Sequence, residues 1–271
     1  MAGPTALFGS AGCRFLSVPA GTVAGMDGSV LVTGASRGLG AHIARRLAAD
    51  GRPVAVNYLP DRAEAERVVA GIEAAGGRAA AFRADVTDEA DVTALVAAVE
   101  SQLGPIAVLV PNATGPQPMI DAVDVTWRDH LQQLTFFVKS PTLLMQAVAP
   151  GMRTRGGGRI IQIGSDVFER AAPGMSAYSA AKGAQLSLTR AWARELGPWG
   201  ITVNVVAPGW IPVERHAEID PRIVDEYRRE VPLGRMGTPA EIADVVAFLA
   251  SEAARFITGE RITVNGGHTM D

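Results

Sequence analysis

The sequence predicts a single doubly wound α/β domain, in which a mostly parallel, seven-stranded sheet carries helices on both faces. From Ser29 onward, short aliphatic or β-branched runs alternate with longer amphipathic runs, which is the pattern of repeated strand–helix–strand units. No linker or change of composition divides the chain after residue 28, and no repeat has the spacing of a solenoid. We therefore expect one domain over residues 29–271.

The positions of these runs predict the individual elements, and Pro or Gly stands at most junctions between them. Strands are predicted at residues 30–33, 54–58, 79–83, 106–110, 159–163, 201–206 and 261–264. Helices are predicted at residues 38–50, 62–75, 89–102, 126–152, 177–196 and 239–251, with a shorter one near 222–230.

Composition excludes several classes of function. Apolar residues make up 48% of the chain and the net charge is −3, so no basic surface for nucleic acid is expected. Cys13 is the only cysteine and no Cys/His cluster has metal-ligand spacing, so we expect no metal site and a cytoplasmic location. The longest apolar runs after residue 28 have the length of strands, which predicts no membrane span. Residues 1–28 lack periodicity, and we expect a disordered extension there.

A glycine-rich turn links the first strand to the first helix. Such glycines let the backbone approach a pyrophosphate, and the helix N-terminus offers N–H groups and the positive end of its dipole. The order of strand, turn and helix therefore predicts a dinucleotide site, the alternative being a turn that binds nothing. The residues assigned to this site are Gly34, Ser36, Arg37, Gly38, Leu39 and Gly40.

The end of the second strand indicates which dinucleotide binds. An NAD site would place a carboxylate there, whereas this chain has Asn57 and Tyr58, and Arg37 could pair with a 2′-phosphate. This pattern favours NADP(H) over NAD(H). Beyond the third strand, Asp85, followed by Val86, is expected to hydrogen-bond the adenine amino group. Capping of the next helix is a competing role for Asp85.

Tyr178 and Lys182 are expected to form the reaction centre. They stand four residues apart in a helical run and so share one helix face. An ammonium beside a phenol lowers the tyrosine pKa from about 10 towards working pH, which makes Tyr178 a usable acid or base. Ser165 ends the fifth strand and could bind the substrate oxygen, the alternative being a serine that only closes the strand.

Together these motifs resemble the short-chain dehydrogenase/reductase family, in particular 3-oxoacyl-carrier-protein reductases and related bacterial ketoreductases. The resemblance covers about residues 29–268 and implies a Rossmann fold. It implies that Lys182 also holds the nicotinamide ribose and that Asn112, with Ala113, supports the cofactor loop. It further implies that the Pro208–Gly209 turn lies against the nicotinamide, with Ile211 just beyond it. The other matching residues are Thr33, Asn204 and the run from Val264 to Gly267.

Two positions depart from the family pattern. After the fourth strand, Thr114 replaces a glycine, which adds bulk beside the cofactor. In the helix over residues 126–152, the family carries an asparagine that kinks the helix and holds a water of the proton relay, and that position falls on Phe137. A phenyl group cannot hold the water. The relay would then run through Gln132, Gln133 or Thr135, or turnover would be slow.

Residues 209–238 interrupt the pattern after the sixth strand and are predicted to form a substrate lid. Arg215 and His216 on this lid could select a polar or acidic substrate, or could simply be solvated. An apolar substrate wall, or packing between lid and core, is expected from Phe168, Met175, Trp210 and Met236.

The expected activity is hydride transfer between NADP(H) and a carbonyl or secondary alcohol. Among such activities, the reduction of a small-molecule ketone is the one that we expect. One alternative is a cofactor-binding protein that has lost efficient catalysis, which Phe137 and Thr114 suggest. Another is an NAD-dependent alcohol dehydrogenase. The family resemblance also implies a homotetramer or a homodimer.

Overall fold

A computed structural model describes residues 27–214 and 219–270. The extension expected over residues 1–28 therefore lies outside the described residues, except for Asp27 and Gly28, as do Arg215 and His216. The strands are β1 (Ser29–Val32), β2 (Val54–Tyr58), β3 (Ala79–Arg83), β4 (Ile106–Val110), β5 (Gly158–Ile163), β6 (Ile201–Pro208) and β7 (Arg261–Val264). They form one sheet in the order β3-β2-β1-β4-β5-β6-β7, and every pairing is parallel. The predicted fold class is confirmed.

Helices connect consecutive strands by crossovers, as parallel pairing requires. They are α1 (Gly38–Ala49), α2 (Arg62–Ala74), α3 (Glu89–Leu103), α4 (Trp127–Leu134), α5 (Ser140–Thr154), α6 (Val167–Arg170), α7 (Ser176–Leu196), α8 (Pro221–Glu230) and α9 (Pro239–Ala250). The short helix α6 was not expected from the sequence. None of the helices within the described ranges combines the length and the apolar composition needed to cross a membrane.

The single helix predicted over residues 126–152 is wrong in one respect, because a π-helical segment, Thr135–Lys139, separates α4 from α5. Across it, the N–H of Ser140 donates to the Thr135 carbonyl, five residues back. Pro141 follows immediately. A proline has no N–H, and its ring crowds the carbonyl four residues earlier, which here belongs to Phe137. A wider turn in front of Pro141 relieves that crowding.

Two apolar layers enclose the sheet. Helices α1, α2 and α9 cover one face, and α3, α5 and α7 cover the other. Strands β1, β2 and β4 to β6 are buried along their whole length, which explains their uninterrupted aliphatic sequences. Because all strands run in the same direction, the segments after β1, β3, β4, β5 and β6 meet at one edge of the sheet. The predicted site residues stand on these segments.

Candidate active site

The glycine-rich turn takes the conformation that its sequence requires. Gly34 (φ 60°) and Gly38 (φ 55°) are in the left-handed region, where a side chain would be strained. Exposed Arg37 precedes α1 and makes no capping hydrogen bond to it. Ser36 is half-buried, and Leu39 packs against the core.

Two asparagines hold this turn from either side. The Asn112 side-chain amide donates to the carbonyls of Thr33 (2.9 Å) and Gly34 (3.2 Å), while the Thr33 hydroxyl accepts from the N–H groups of Asn112 and Ala113. On the other side, the Asn57 side-chain oxygen accepts from the Gly34 N–H at 3.2 Å. The backbone of the turn is therefore fixed before any ligand binds.

The turn leaves no room for side chains at two of its glycines. A Cβ at Gly34 would lie 2.9 Å from the Ala113 Cα, and one at Gly40 would lie 2.4 Å from the Gly34 carbonyl oxygen and 2.6 Å from the Asn112 amide nitrogen. The fit of a pyrophosphate to a helix N-terminus depends on such close approach of the backbone. The residues present therefore suit a dinucleotide.

The end of β2 offers no carboxylate to a ribose. Asn57 is buried, and its amide nitrogen donates to the carbonyls of Phe82 and Ala84 (3.3 and 3.1 Å). Tyr58 is buried in the core layer of α1 and α2. The nearest acid that follows, Asp61, caps α2 by accepting from the Glu64 N–H.

Asp85 lies at the same edge of the sheet, half-buried, with Val86 buried beside it. Its Oδ1 accepts from the N–H and the hydroxyl of Thr87 at 2.8 and 2.7 Å. The competing role considered for Asp85, capping α3, belongs to Asp88 instead, because the Asp88 carboxylate accepts from the Asp91 N–H.

Tyr178 and Lys182 lie together on the first turns of α7. The Lys182 Nζ is 5.7 Å from the centre of the Tyr178 ring. Lys182 is buried, and its ammonium donates to the Ile163 carbonyl at 2.7 Å and to the Gln185 side-chain oxygen at 3.1 Å. Ile163 is the last residue of β5, so the lysine ties the helix to the carboxyl edge of the sheet.

Phe137 stands directly against this pair. The Lys182 Nζ lies 3.7 Å from the centre of the Phe137 ring, and the Tyr178 ring meets the same ring edge-on at 5.3 Å. Phe137 is 4% exposed and belongs to the π-helical segment. The helix thus keeps a distortion here although no asparagine is present. Of the alternative relay residues, Gln132 is exposed, and the Thr135 hydroxyl donates to the Leu131 carbonyl.

Ser165 follows β5 on a turn that is tied to β6. The Gly164 and Asp166 N–H groups donate to the carbonyls of Val206 (2.7 Å) and Pro208 (3.1 Å). The Ser165 Oγ accepts from the Val167 N–H at 3.1 Å. Because this contact uses the oxygen as an acceptor, the hydroxyl hydrogen can still be donated to another group.

Asp166 is a fully buried carboxylate that the sequence reasoning missed. It pairs with Arg170 at 3.0 Å, accepts from the Asn265 amide at 3.1 Å, and lies 3.8 Å from the His268 ring nitrogen. The other ring nitrogen of His268 is 3.1 Å from Glu230 at the end of α8. The only signal in the sequence was an acid next to Ser165 with an arginine four residues later.

Tyr227 on α8 holds the turn after β6. The Trp210 N–H donates to the Tyr227 hydroxyl at 2.7 Å, and a Cβ at Gly209 would lie 2.6 Å from the same oxygen. Burial raises the pKa of the Tyr227 phenol above its usual value, and the hydrogen bond from the Trp210 N–H offsets only part of this increase. Gly209 also donates to the Val264 carbonyl, and Ile211 packs into the core. Pro208 ends β6 within the sheet.

A narrow cleft lies beside Tyr178. The loop after β4 forms one wall, and the segment before α7 forms another; the Ile120 N–H links the two by donating to the Gly174 carbonyl at 2.8 Å. Gln133 and Asp129 of α4 also line the cleft. The lining residues are Pro118, Ile120, Val125, Asp129, Gln133, Gly174, Met175, Ala177 and Tyr178.

Of the four residues expected to form an apolar substrate wall, Met175 lines this cleft. Trp210 packs edge-on against Tyr227, and Phe168 packs against the Arg261 guanidinium. Met236 is half-buried. Thr114 is exposed, and its hydroxyl bonds to Gly115 and Gln117. A larger depression of about 350 Å³ lies away from these residues, over α2 and β3.

Comparison with known proteins agrees with this arrangement. The family model described as enoyl-(acyl carrier protein) reductase matches residues 34–269. The 3-oxoacyl-[acyl-carrier-protein] reductase FabG of Staphylococcus aureus is 40% identical over 247 residues, which are 90% of this chain and 99% of the relative.

Solved structures of related reductases and dehydrogenases are also similar to this chain. The promiscuous reductase LugOII, which catalyses keto-reduction in lugdunomycin biosynthesis, has a TM-score of 0.83 at 38% identity and covers 90% of this chain and 99% of its own. A 7α-hydroxysteroid dehydrogenase in complex with NADH and an oxo bile acid has a TM-score of 0.84 at 36% identity and covers 89% and 94%. This chain therefore belongs to the short-chain dehydrogenase/reductase family and is an oxidoreductase of carbonyl or hydroxyl groups that uses a nicotinamide cofactor.

Proposed function

We propose that this chain is an NADP(H)-dependent ketoreductase that reduces a small-molecule ketone, with Tyr178 as the proton donor. The observation that carries the proposal is the buried Lys182 ammonium, anchored to Ile163 and Gln185 and placed beside the Tyr178 ring. An ammonium next to a phenol favours the charged phenolate, which makes the phenol a better acid towards a substrate oxygen.

The residues take separate roles in the proposed reaction. Bound NADPH would supply the hydride. Ser165 donates its hydroxyl hydrogen to the ketone oxygen and so orients the carbonyl towards the cofactor. Tyr178 transfers its proton to the same oxygen, and Lys182 stabilises the phenolate that this leaves. Asn112 and Asn57 keep the cofactor turn rigid, so binding does not have to order it.

The preference for NADP(H) rests on two features of the adenosine end. Exposed Arg37 stands where it can meet a 2′-phosphate, and the end of β2 presents a buried amide rather than a carboxylate. A carboxylate there would hold the two ribose hydroxyls of NAD(H) and repel the phosphate of NADP(H). The relative FabG is named as a 3-oxoacyl-[acyl-carrier-protein] reductase, and this similarity supports reduction as the main direction of the reaction.

We also propose that the chain assembles as a homotetramer or homodimer through α4, α5, α7 and β7. Trp127 and Leu131 on α4 are 67% and 47% exposed, and Phe256, which precedes β7, is fully exposed. Large apolar side chains grouped on a surface are typical of interfaces between subunits. Light scattering on a size-exclusion column measures the assembly directly, and a monomer would contradict this proposal.

The function is tested by ketone-dependent oxidation of NADPH. Ketones and 3-oxoacyl thioesters should be reduced with NADPH in preference to NADH. Tyr178→Phe keeps the ring but removes the proton, so turnover should fall below detection while the dissociation constant for NADPH stays within about twofold. Ser179→Ala is the matched control on the same helix and should keep full activity. Binding of NADPH without turnover of any substrate would instead show a cofactor-binding protein that has lost catalysis.

A further inference from the structure

Gln185 is a buried glutamine of α7 that stands one turn after Lys182. It is 1% exposed, and its side-chain oxygen accepts a hydrogen bond from the Lys182 Nζ at 3.1 Å. Residues three apart on a helix share one face, which brings the two side chains together. Because an ammonium can only donate, the oxygen of the amide and not its nitrogen must face the lysine. The direction of this contact is therefore fixed by the chemistry of the two groups.

Other buried polar groups beside Gln185 serve a different purpose. The Thr189 hydroxyl donates to the Gln185 backbone carbonyl at 3.0 Å and accepts from the Gln162 amide of β5 at 2.7 Å. These hydrogen bonds hold α7 against β5, and they use the backbone of Gln185 rather than its side chain. The side-chain oxygen of Gln185 is directed at Lys182 instead. The helix–sheet contact and the lysine contact can therefore be tested separately.

The Lys182 ammonium needs acceptors because it is buried. Lys182 is 4% exposed, and removal from water favours the neutral form of an amine, whereas hydrogen bonds to the charged form oppose this. The Ile163 carbonyl is one acceptor, at 2.7 Å. The Phe137 ring lies 3.7 Å from the ammonium, at the position where the family resemblance implies an asparagine, and a ring supplies no acceptor oxygen. Gln185 supplies a side-chain acceptor from α7.

We propose that Gln185 is a positioning residue, which keeps the Lys182 ammonium charged and in place and thereby sets the acidity of the Tyr178 phenol. Without the Gln185 oxygen, the ammonium would lose part of its stabilisation and would no longer be held at one distance from Tyr178. The phenolate would then be less stable, and the pKa of Tyr178 would rise. This inference rests on the proposed function for the role of Tyr178 as proton donor.

The ionisation of Tyr178 can be measured without any substrate. Tyrosinate absorbs ultraviolet light that the neutral phenol does not absorb, so a pH titration of the full chain with NADP⁺ follows it from about pH 6 to pH 11. The chain has three tyrosines. Subtracting the titration of Tyr178→Phe removes the signals of Tyr58 and Tyr227, so that the difference reports the midpoint of Tyr178 alone.

Two variants of Gln185 test its side-chain oxygen. Gln185→Met keeps the length of the side chain and removes the amide oxygen, and Gln185→Asn keeps an amide in the interior but withdraws it by one methylene. We expect the Tyr178 midpoint to rise by about one pH unit in Gln185→Met, as for a lost hydrogen bond to a charged group, and to rise also in Gln185→Asn. The acidic limb of kcat/KM for alcohol oxidation should move with it.

Thr189→Val is the matched control on the same helix. It removes a buried hydroxyl and should lower the urea midpoint of unfolding while leaving the Tyr178 midpoint unchanged. An equal rise of the Tyr178 midpoint in Thr189→Val would overturn the proposal. So would a midpoint that stays or falls in Gln185→Met, or in Gln185→Asn where only that variant folds.

Failure of this inference is distinguishable from failure of the proposed function. A raised Tyr178 midpoint in the Gln185 variants, with no ketone reduced by the wild type, would contradict the proposed function and leave the Gln185 assignment intact. Ketone reduction that depends on Tyr178, with an unshifted midpoint in the Gln185 variants, would overturn the Gln185 assignment alone.

Discussion

The Lys182 ammonium lies 3.7 Å from the centre of the Phe137 ring, and Phe137 stands at the position where the family resemblance implies a water-binding asparagine in related chains. A ring face attracts a cation, and the attraction is stronger where water is excluded, as it is around these two buried residues. The aromatic ring thus supports the charge of the lysine without taking part in proton transfer.

Replacing Phe137 by leucine should remove this support while largely preserving the volume of the core. We expect kcat for ketone reduction to fall by about tenfold, which corresponds to the loss of one desolvated cation–π contact, with little change in the KM for NADPH. Steady-state kinetics with both substrates varied measures the two constants. Phe248→Leu on α9 is the control, and a loss of equal size there would refute a specific role for Phe137.

The close approach at Gly40 gives a prediction for cofactor binding. Gly40→Ala places a Cβ against the Gly34 carbonyl and the Asn112 amide, so the turn must shift. We expect the affinity for NADPH, measured by fluorescence titration, to fall by at least tenfold. The matched control is Gly71→Ala in the exposed last turn of α2, where the nearest described side-chain atom to an added Cβ is the Arg45 Nε, at 3.9 Å. That change should leave binding intact and stabilise the fold by about 0.5–1 kcal/mol.

Arg37 provides the test of cofactor choice. Arg37→Gln removes the charge proposed to meet the 2′-phosphate, and the KM for NADPH should rise by at least tenfold, as for a lost charge-assisted hydrogen bond. The KM for NADH should stay unchanged, because NADH has no phosphate there. Arg78→Gln, before β3 at the opposite edge of the sheet, should change neither value. Equal effects on both cofactors would remove Arg37 from the 2′-phosphate site.

Glu241 gives a prediction for the stability of the fold at low pH. It pairs with Arg235 and completes the capping box of α9 with Thr238. The hydrogen bond from Arg235, and then that from the Thr238 N–H, lowers the pKa of Glu241 from 4.5 to about 2. A lowered folded-state pKa stabilises the fold above the unfolded value, and this stabilisation is lost as pH falls from 4.5 to about 2. Urea midpoints across this range should therefore fall less steeply for Glu241→Gln than for the wild type.

The sheet was predictable from the sequence because its strands are buried on both faces. β4 is a continuous apolar run, and β2 is apolar except for Asn57. Helix ends were nearly as clear, since Thr238 and Asp61 cap their helices through local hydrogen bonds. Lys182 and Tyr178 could be paired because both stand on one helix. Local rules govern all of these features.

Features that depend on distant residues could not be predicted. The contacts of Asp166 with Asn265 and His268 join segments about a hundred residues apart, and no spacing rule connects them. The hydrogen bond from the Gln133 amide to the Pro116 carbonyl joins α4 to the loop after β4, and no spacing rule predicts it. The π-helical segment came from the conflict between Pro141 and the preceding turn, which a helical periodicity does not reveal.

The buried amide of Asn57 has a practical consequence for redesigning this enzyme towards NADH. An aspartate at this position would replace the amide nitrogen, with its two N–H donors, by one carboxylate oxygen facing the Phe82 and Ala84 carbonyls, so an acceptor would face two acceptors in the interior. The side-chain oxygen that accepts the hydrogen bond from the Gly34 N–H would also become part of a negatively charged carboxylate. Altering the dinucleotide preference is therefore better attempted at Leu59, two residues after Asn57, which is exposed, so that a new acid there would lie in water.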